Sequence, residues 1–149
     1  MADPTLPPDF SAFLRLLNAH AVRYVIVGGY AVGYHGHPRA TADIDIWVPM
    51  DTTAATRLVN ALHEFGFDVP DLSADLFLRP DQIIRLGVPP VRIELLTTIA
   101  GVQFDECYPR AIRTTLGGVE VSIIGLDDLK RNKRAAGRHQ DLADLEHLP

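Results

Sequence analysis

The chain has 149 residues, of which 47% are hydrophobic, and this size and composition predict one domain, residues 1–149, with a core of its own. The formal net charge of −5 excludes a general nucleic-acid coat protein, because such binding depends on neutralising phosphates with Lys and Arg. The sequence lacks the run of roughly 18 apolar residues that a membrane span needs, lacks a secretion signal and has one cysteine, so we expect a soluble cytoplasmic protein with no membrane partner.

The first part of the chain shows a helical pattern, then a strand and a glycine turn. Residues 1–8 are rich in proline, and we expect them to form a flexible arm. The next segment, DFSAFLRLLNAH, has apolar residues at helical spacing, which predicts an amphipathic helix capped by Asp9 or Ser11. The run YVIVGGYAVGYHG predicts a short strand that stops at Gly28 and Gly29 and is followed by a small helix.

An acidic strand and a second helix follow. The segment DIDIWV alternates acidic and apolar residues, which predicts a strand with one face open to solvent. The segment TAATRLVNALHEF predicts a helix, with Thr52 or Thr53 as its cap and Gly66 at its end.

The second half of the chain predicts two hairpins and two helices. QIIRLGV and VRIELLT form one predicted hairpin, with its turn at Pro89 and Pro90. AIRTT and VEVSII form the other, around Gly117 and Gly118. The final segment predicts two helices separated near Gly137.

The acidic strand is the first candidate for chemistry. Asp43 and Asp45 lie two residues apart, so their side chains project from the same face of the strand. Carboxylates this close repel each other, and a hard divalent ion such as Mg²⁺ would relieve the repulsion. The alternative is an ordinary strand face with solvated carboxylates.

Two further features could complete a phosphate and metal site. Gly28 and Gly29 separate a strand from a helix, where backbone N–H groups favour an anion; the alternative is a plain turn. Glu94 lies among apolar residues on a predicted strand, where a carboxylate needs a metal ion or a charged partner. A salt bridge to Arg92 or Arg39 is the alternative for Glu94.

These motifs together resemble a known signature. The run VGGYAVGYHGHPRATADIDIWV is similar to that of the DNA-polymerase-β-like nucleotidyltransferase superfamily, in which an apolar strand ends in Gly-Gly or Gly-Ser and the next strand carries Asp-x-Asp. The tail LKRNKRAAGRHQDLADLEHL resembles the lysine, arginine and aspartate motifs of AbiEii-type nucleotidyltransferases, a branch that includes toxin and antitoxin proteins.

The resemblance implies a fold and a set of site residues. The fold is α+β, a small mixed sheet with helices packed mainly on one face. The implied catalytic and metal-binding residues are Asp43, Asp45 and Glu94, and the implied nucleotide-binding or phosphate-binding residues are Gly28, Gly29, Arg39, Thr41, Lys133, Arg138 and Asp141. The last three could contact the nucleotide or brace the site, and Arg39 and Thr41 could orient the aspartates or contact a phosphate.

The implied activity is transfer of a nucleoside monophosphate from a nucleoside triphosphate to a hydroxyl group. Two Mg²⁺ ions, or Mn²⁺ ions in their place, would be the cofactors. The acceptor would be a protein, a tRNA or a small molecule, and a small toxin or antitoxin partner and a homodimer are further expectations. The alternative is a catalytically inactive module of the same fold that binds a nucleotide or a protein partner.

Five ring residues near these motifs are given no role in the chemistry. His35 and His37 lack a further nearby His or Cys, so we interpret them as loop histidines rather than zinc ligands. Tyr30 and Tyr34 are one helical turn apart and could stack on a base, but core packing is the favoured interpretation. Trp47 follows the acidic residues and is predicted to lie in the core.

Overall fold

The computed structural model describes residues 6–37, 41–68, 70–88 and 91–149. The candidate phosphate contact Arg39 lies outside these ranges, as do Pro89 and Pro90, where the first hairpin was predicted to turn.

Helices account for both ends of the described chain. They are α1 (Pro8–Ala19), α2 (Gly28–Tyr34), α3 (Thr52–Phe65), α4 (Phe104–Cys107), α5 (Leu126–Ala136) and α6 (His139–His147), with 3₁₀ turns at Ala74–Leu78 and Tyr108–Arg110. The opening helix and the two closing helices are therefore confirmed, and so is the small helix, although it begins at Gly28 and includes both glycines. Within the described ranges, no helix has both the length and the apolar composition needed to cross a lipid bilayer.

The start of α1 differs from the prediction. Leu6 is buried and Pro8 is the first helical residue, so the end of the predicted flexible arm is packed against the core. Proline suits the first helical position because its φ is already helical and its missing N–H would have no partner there. Asp9 and Ser11 lie inside the helix, so the prediction that one of them caps it was wrong.

Asp51 caps α3, and the prediction of Thr52 or Thr53 was wrong. The Asp51 carboxylate accepts a hydrogen bond from the backbone N–H of Ala54 at 2.7 Å, while both threonines lie in the first turn. The backbone of Asp51 is extended, as a cap requires. Gly66 ends the helix as predicted, with a φ of 98° that favours glycine.

The strands form one six-stranded mixed sheet in the order β3-β4-β2-β1-β6-β5. They are β1 (Val25–Val27), β2 (Asp43–Trp47), β3 (Ile83–Val88), β4 (Val91–Leu96), β5 (Ile112–Leu116) and β6 (Val119–Ile123). The central β1 is antiparallel to β2 and parallel to β6, and β2 is parallel to β4. The outer pairs β3-β4 and β5-β6 are antiparallel, which confirms both predicted hairpins and the α+β class.

Apolar side chains of α1, α3 and the central strands form the core. Those that are fully buried include Phe10, Phe13, Leu14, Leu17, Ile26, Ile44, Ile46, Leu58 and Leu62. Trp47 is buried as predicted, and Tyr30 packs edge-to-face against Phe10 with ring centroids 5.9 Å apart. Tyr34 is 38% exposed because it lies at the end of α2, so the prediction that it packs in the core was wrong.

A buried carboxylate anchors α5 near its start. Asp128 accepts hydrogen bonds from Nε and Nη2 of Arg110 at 3.0 and 2.9 Å, and from Nη1 of Arg131 at 2.6 Å. Burial raises the pKa of Asp128, but the hydrogen bonds and charge of Arg110 outweigh burial and lower it. The ionised Asp128 therefore fixes α5, the helix that carries Lys133, against the turn that precedes β5.

Candidate active site

The register of β2 and β4 brings the three predicted carboxylates to one face of the sheet. Asp43 and Asp45 alternate with the buried Ile44 and Ile46 along β2, so the two aspartates share a face as predicted. In the parallel pair of β2 and β4, Asp45 lies opposite Glu94. Asp45 and Glu94, called the acidic pair below, therefore lie side by side on neighbouring strands.

The glycine turn lies on the other side of Asp45. Val27, the last residue of β1, pairs with Asp45, and Gly28 follows with a φ of 70°. A Cβ atom added at Gly28 would overlap Oδ2 of Asp45 and lie 3.0 Å from its Cγ. Glycine is thus required twice at this position, by the backbone conformation and by the close approach of the carboxylate.

The second glycine packs against the segment that leads into β2. A Cβ atom at Gly29 would lie 3.0 Å from Cβ and from Oγ1 of Thr41. The Thr41 hydroxyl donates a hydrogen bond to the backbone carbonyl of Asp43 at 3.1 Å. Thr41 therefore fixes the start of the acidic strand, as an orienting residue would; its predicted contact with phosphate stays a prediction.

The acidic pair raises the affinity of Asp45 for a proton. Burial raises the pKa of Asp45 to about 7, and the charge of Glu94, a hydrogen bond with Glu94 and the charge of Asp43 act in the same direction. The positive charge of Lys133 opposes this shift. Asp45 and Glu94 thus need either a shared proton or a cation near neutral pH.

Two arginines on the hairpin also face the carboxylates. Arg92, in register with Asp43, donates from Nη2 to Asp43 Oδ2 at 3.1 Å, and its Nε lies 3.7 Å from Glu94 Oε1. Arg85 on β3 donates from Nε to Glu94 Oε1 at 3.2 Å. Arg92 was predicted only as a counter-ion of Glu94, and Arg85 was missed. The sequence contained a signal, because Arg85 and Glu94 are equally distant from the predicted turn position and lie opposite each other in the hairpin.

The predicted residues of the tail form a buried charge cluster. Lys133 is 4% exposed, and its Nζ lies 3.1 Å from Asp141 Oδ1 and 3.0 Å from Asp144 Oδ2. Arg138 donates from Nε to Asp141 Oδ2 at 2.7 Å. Burial raises the pKa of Asp141, but hydrogen bonds from Arg138 and Lys133 outweigh it, so the pKa is lowered. Asp144 was not predicted, although its spacing of three from Asp141 places both on one helical face.

The cluster is electrostatically close to the acidic pair. The charge of Lys133 lowers the pKa of Asp45, and the charge of Asp45 raises the pKa of Arg138. The charges of the tail residues and of the DxD strand therefore act on each other. Because two buried carboxylates already surround Lys133, the geometry supports the bracing role of the cluster.

The donor set suits a hard divalent cation. Asp43, Asp45 and Glu94 supply carboxylate oxygens, which Mg²⁺ prefers, and the hydrogen-bonded pair of Asp45 and Glu94 would exchange its proton for such an ion. In the described part of the chain, no three Asp, Glu, His or Cys side chains lie close enough together to hold one metal ion as they stand. The hydrogen bond from Arg92 turns the Asp43 carboxylate toward the guanidinium.

Other features lie away from this face. A cavity of about 600 Å³ is lined by residues that include Tyr24 and Arg113, and one of about 370 Å³ by residues that include Trp47; none of the three carboxylates lines either. Nε2 of His35 lies 2.6 Å from the carbonyl of Ile124. His37 stacks on His147 with ring centroids 4.2 Å apart. These contacts account for both histidines without a metal ion.

Comparisons with known proteins identify a family and a similar fold. Residues 8–149 match the family described as Nucleotidyl transferase of unknown function (DUF2204). The structure is similar to the crystal structure of a candidate nucleotidyltransferase from Thermotoga maritima, with a TM-score of 0.63 and 15% identity over 96% of this chain and 94% of that chain. At this identity the similarity shows the fold alone. No curated protein matches the chain.

The family match supports the nucleotidyltransferase superfamily that the sequence motifs predicted, and the structural similarity supports the fold. Because the family match spans residues 8–149 of the 149, the chain belongs to this family of nucleotidyl transferases.

Proposed function

We propose that the protein transfers a nucleoside monophosphate from a nucleoside triphosphate to an acceptor hydroxyl in a reaction that requires Mg²⁺. The observation that carries this proposal is the position of Asp45, which lies beside Glu94 on one side and the Gly28 turn on the other. A carboxylate pair that can hold a cation thus adjoins a turn that can approach phosphate closely.

The three carboxylates on this face of the sheet would bind metal ions, and one of them would also accept a proton. Asp43, Asp45 and Glu94 would hold two Mg²⁺ or Mn²⁺ ions. When bound, such ions neutralise phosphate charge and favour ionisation of the acceptor hydroxyl. Glu94 would accept the proton of that hydroxyl as its oxygen attacks the α-phosphorus, and pyrophosphate would leave.

The glycine turn would bind the triphosphate. Backbone N–H groups at Gly28 and Gly29 begin α2, and no side chain caps this helix. Such N–H groups favour an anion. Arg39 would add a positive charge from the segment that precedes β2, and Thr41 would keep the strand in place.

The charge cluster of the tail would act by bracing rather than by contact with the nucleotide. Lys133 is buried between Asp141 and Asp144, which leaves its ammonium group little freedom to reach a ligand. Arg138 is exposed beyond its bond to Asp141 and is the member of the cluster that can also approach a phosphate.

The acceptor and the partners are also part of the proposal. A protein, a tRNA or a small molecule could supply the hydroxyl on this open face. The tail motifs favour an AbiEii-type enzyme of the cytoplasm that works with a small toxin or antitoxin partner, and a homodimer would enclose the acceptor. The hydrogen bond between Arg92 and Asp43 favours one alternative, a nucleotide-binding or partner-binding module without turnover.

Replacing either aspartate tests whether the protein transfers nucleotides or only binds a nucleotide or a partner. We expect Asp43→Asn and Asp45→Asn to lower transfer at least about 100-fold, because each removes charge that stabilises the transition state. The assay follows each labelled nucleoside triphosphate with Mg²⁺ and cell extract, and records label in protein, RNA or small molecules. The exposed Asp71→Asn is the control. Thermal unfolding should show no loss of stability in Asp45→Asn, since repulsion by Glu94 is removed. Full activity of both site variants would contradict the assignment.

The two glycines Gly28 and Gly33 provide a matched pair. Gly28→Ala should lose transfer activity and about 1 to 2 kcal/mol of stability, because its φ is 70° and its Cβ would displace Asp45. Gly33→Ala, in α2 with open space around it, should keep activity and be neutral or stabilised by up to about 1 kcal/mol. Urea unfolding and the transfer assay measure both. Equal behaviour of the two variants would exclude a tight glycine turn.

Lys133→Met tests bracing against direct contact with the nucleotide. The variant leaves two buried carboxylates without their shared cation, so we expect a loss of about 3 to 5 kcal/mol in the free energy of unfolding. Lys130→Met, one turn away in α5, loses a more exposed bond to the carbonyl of Pro149 and should cost less than about 1 kcal/mol. Unchanged stability with lost nucleotide affinity would assign Lys133 to the ligand instead.

A further inference from the structure

Arg92 places a fixed positive charge within the acidic face. It precedes Glu94 by two residues on β4 and pairs in register with Asp43. Its Nη2 donates to Asp43 at 3.1 Å, and its Nε lies 3.7 Å from Glu94 Oε1. One guanidinium thus lies against two of the three carboxylates to which the proposed function assigns the metal ions.

The grip of Arg92 on these carboxylates is incomplete. Its Nε is buried and, among the described residues, has no hydrogen-bond partner, since 3.7 Å to Glu94 is too long for a hydrogen bond. A structural arginine commonly donates two parallel bonds to one carboxylate, as Arg110 does to Asp128. A buried donor without an acceptor is unfavourable. The contacts of Arg92 therefore fit an ion pair that opens better than a permanent one.

Resting on the proposed metal-dependent reaction, we propose that Arg92 is a positioning residue that competes with the divalent cation for Asp43 and Glu94 and turns to the triphosphate when the cation binds. The guanidinium cannot leave by losing its charge, because arginine stays protonated in proteins. Two cations at the same carboxylates repel each other, so the side chain has to move. A triphosphate is the anion that its planar fork of donors matches.

The competition couples metal binding to nucleotide binding. A metal ion alone must displace Arg92 with no anion to receive the guanidinium, so its affinity is reduced. A metal ion that arrives with the triphosphate brings that anion, so the two bind cooperatively. Arg85 differs, because within the described ranges its ion pair is with Glu94 alone, and its side chain is 54% exposed.

The first test measures Mn²⁺ alone, without nucleotide, from the electron paramagnetic resonance signal of free Mn²⁺. Arg92→Gln should bind Mn²⁺ about tenfold more tightly than the wild type, the size of an ordinary coupling between two linked ligands. Arg92→Lys keeps the charge and should return the affinity toward that of the wild type. Arg57→Gln, which removes an equal charge at an exposed site whose guanidinium contacts the carbonyl of Ala21, should change nothing.

The second test measures a non-hydrolysable nucleoside triphosphate analogue in the presence of Mn²⁺. Arg92→Gln should bind the analogue about tenfold more weakly, because the freed guanidinium is missing. The opposite signs of the two effects identify competition. A purely structural Arg92 would support the site, so its loss would weaken both Mn²⁺ and the analogue.

Each outcome decides the proposal. If circular dichroism shows that Arg92→Gln is unfolded, Arg92→Met takes its place with the same expected results. If the wild type binds Mn²⁺ and the folded Arg92 variant binds it no more tightly, the proposed role of Arg92 is wrong. The metal-dependent reaction is then unaffected. If neither the wild type nor any variant binds Mn²⁺, with or without the analogue, both proposals fall.

Discussion

Repulsion between Asp45 and Glu94 is the constraint on which the rest of the site depends. Two carboxylates on adjacent strands would normally separate, but β2 is hydrogen-bonded on both sides and cannot shift without moving the core residues Ile44 and Ile46. The sheet therefore keeps the pair together and partly buried. Burial, together with the charge of Glu94, raises the pKa of Asp45 to about 7, so the pair readily takes up a proton or a cation near neutral pH.

The surrounding charges leave this requirement in place. When Asp45 is ionised, three carboxylates on this face of the sheet meet two guanidinium groups, Arg85 and Arg92, which leaves a surplus of negative charge. In the tail cluster, the carboxylates of Asp141 and Asp144 are balanced by Lys133 and Arg138. The tail thus holds α5 and α6 together while adding little net charge, and the surplus stays at the position where a cation and a triphosphate would bind.

Much of this arrangement could be predicted from the sequence, because it depends on short-range patterns. The alternation of Asp43 and Asp45 with isoleucines fixes their shared face, and the glycine pair fixes the turn beside them. The caps of α1 and α3 were mispredicted because several adjacent residues could serve as a helix cap. The backbone conformation at the start of each helix makes Pro8 the first residue of α1 and Asp51 the cap of α3.

Long-range contacts were harder to predict. The burial of Lys133 between Asp141 and Asp144 requires α6 to fold back on α5, which no pattern within either helix specifies. The hydrogen bond between Arg92 and Asp43 joins residues 49 positions apart in the sequence, and it depends on the register between β2 and β4. The burial of Lys133 determines whether the tail supports the site, and the contact of Arg92 determines whether the carboxylates are available to a cation. Neither contact could be recognised without the three-dimensional structure.

The most direct test of the cation site follows the carboxyl carbon resonance of Asp45 by nuclear magnetic resonance as the pH changes, first in the metal-free protein and then with Mg²⁺. Asp45→Asn assigns the signals. We expect a titration step of Asp45 with a pKa of about 7 that moves to lower pH when Mg²⁺ is added, because a cation favours the charged form. Titration of Asp45 near pH 4, the ordinary value of a free carboxyl group, with no response to Mg²⁺ would contradict the proposed cation site.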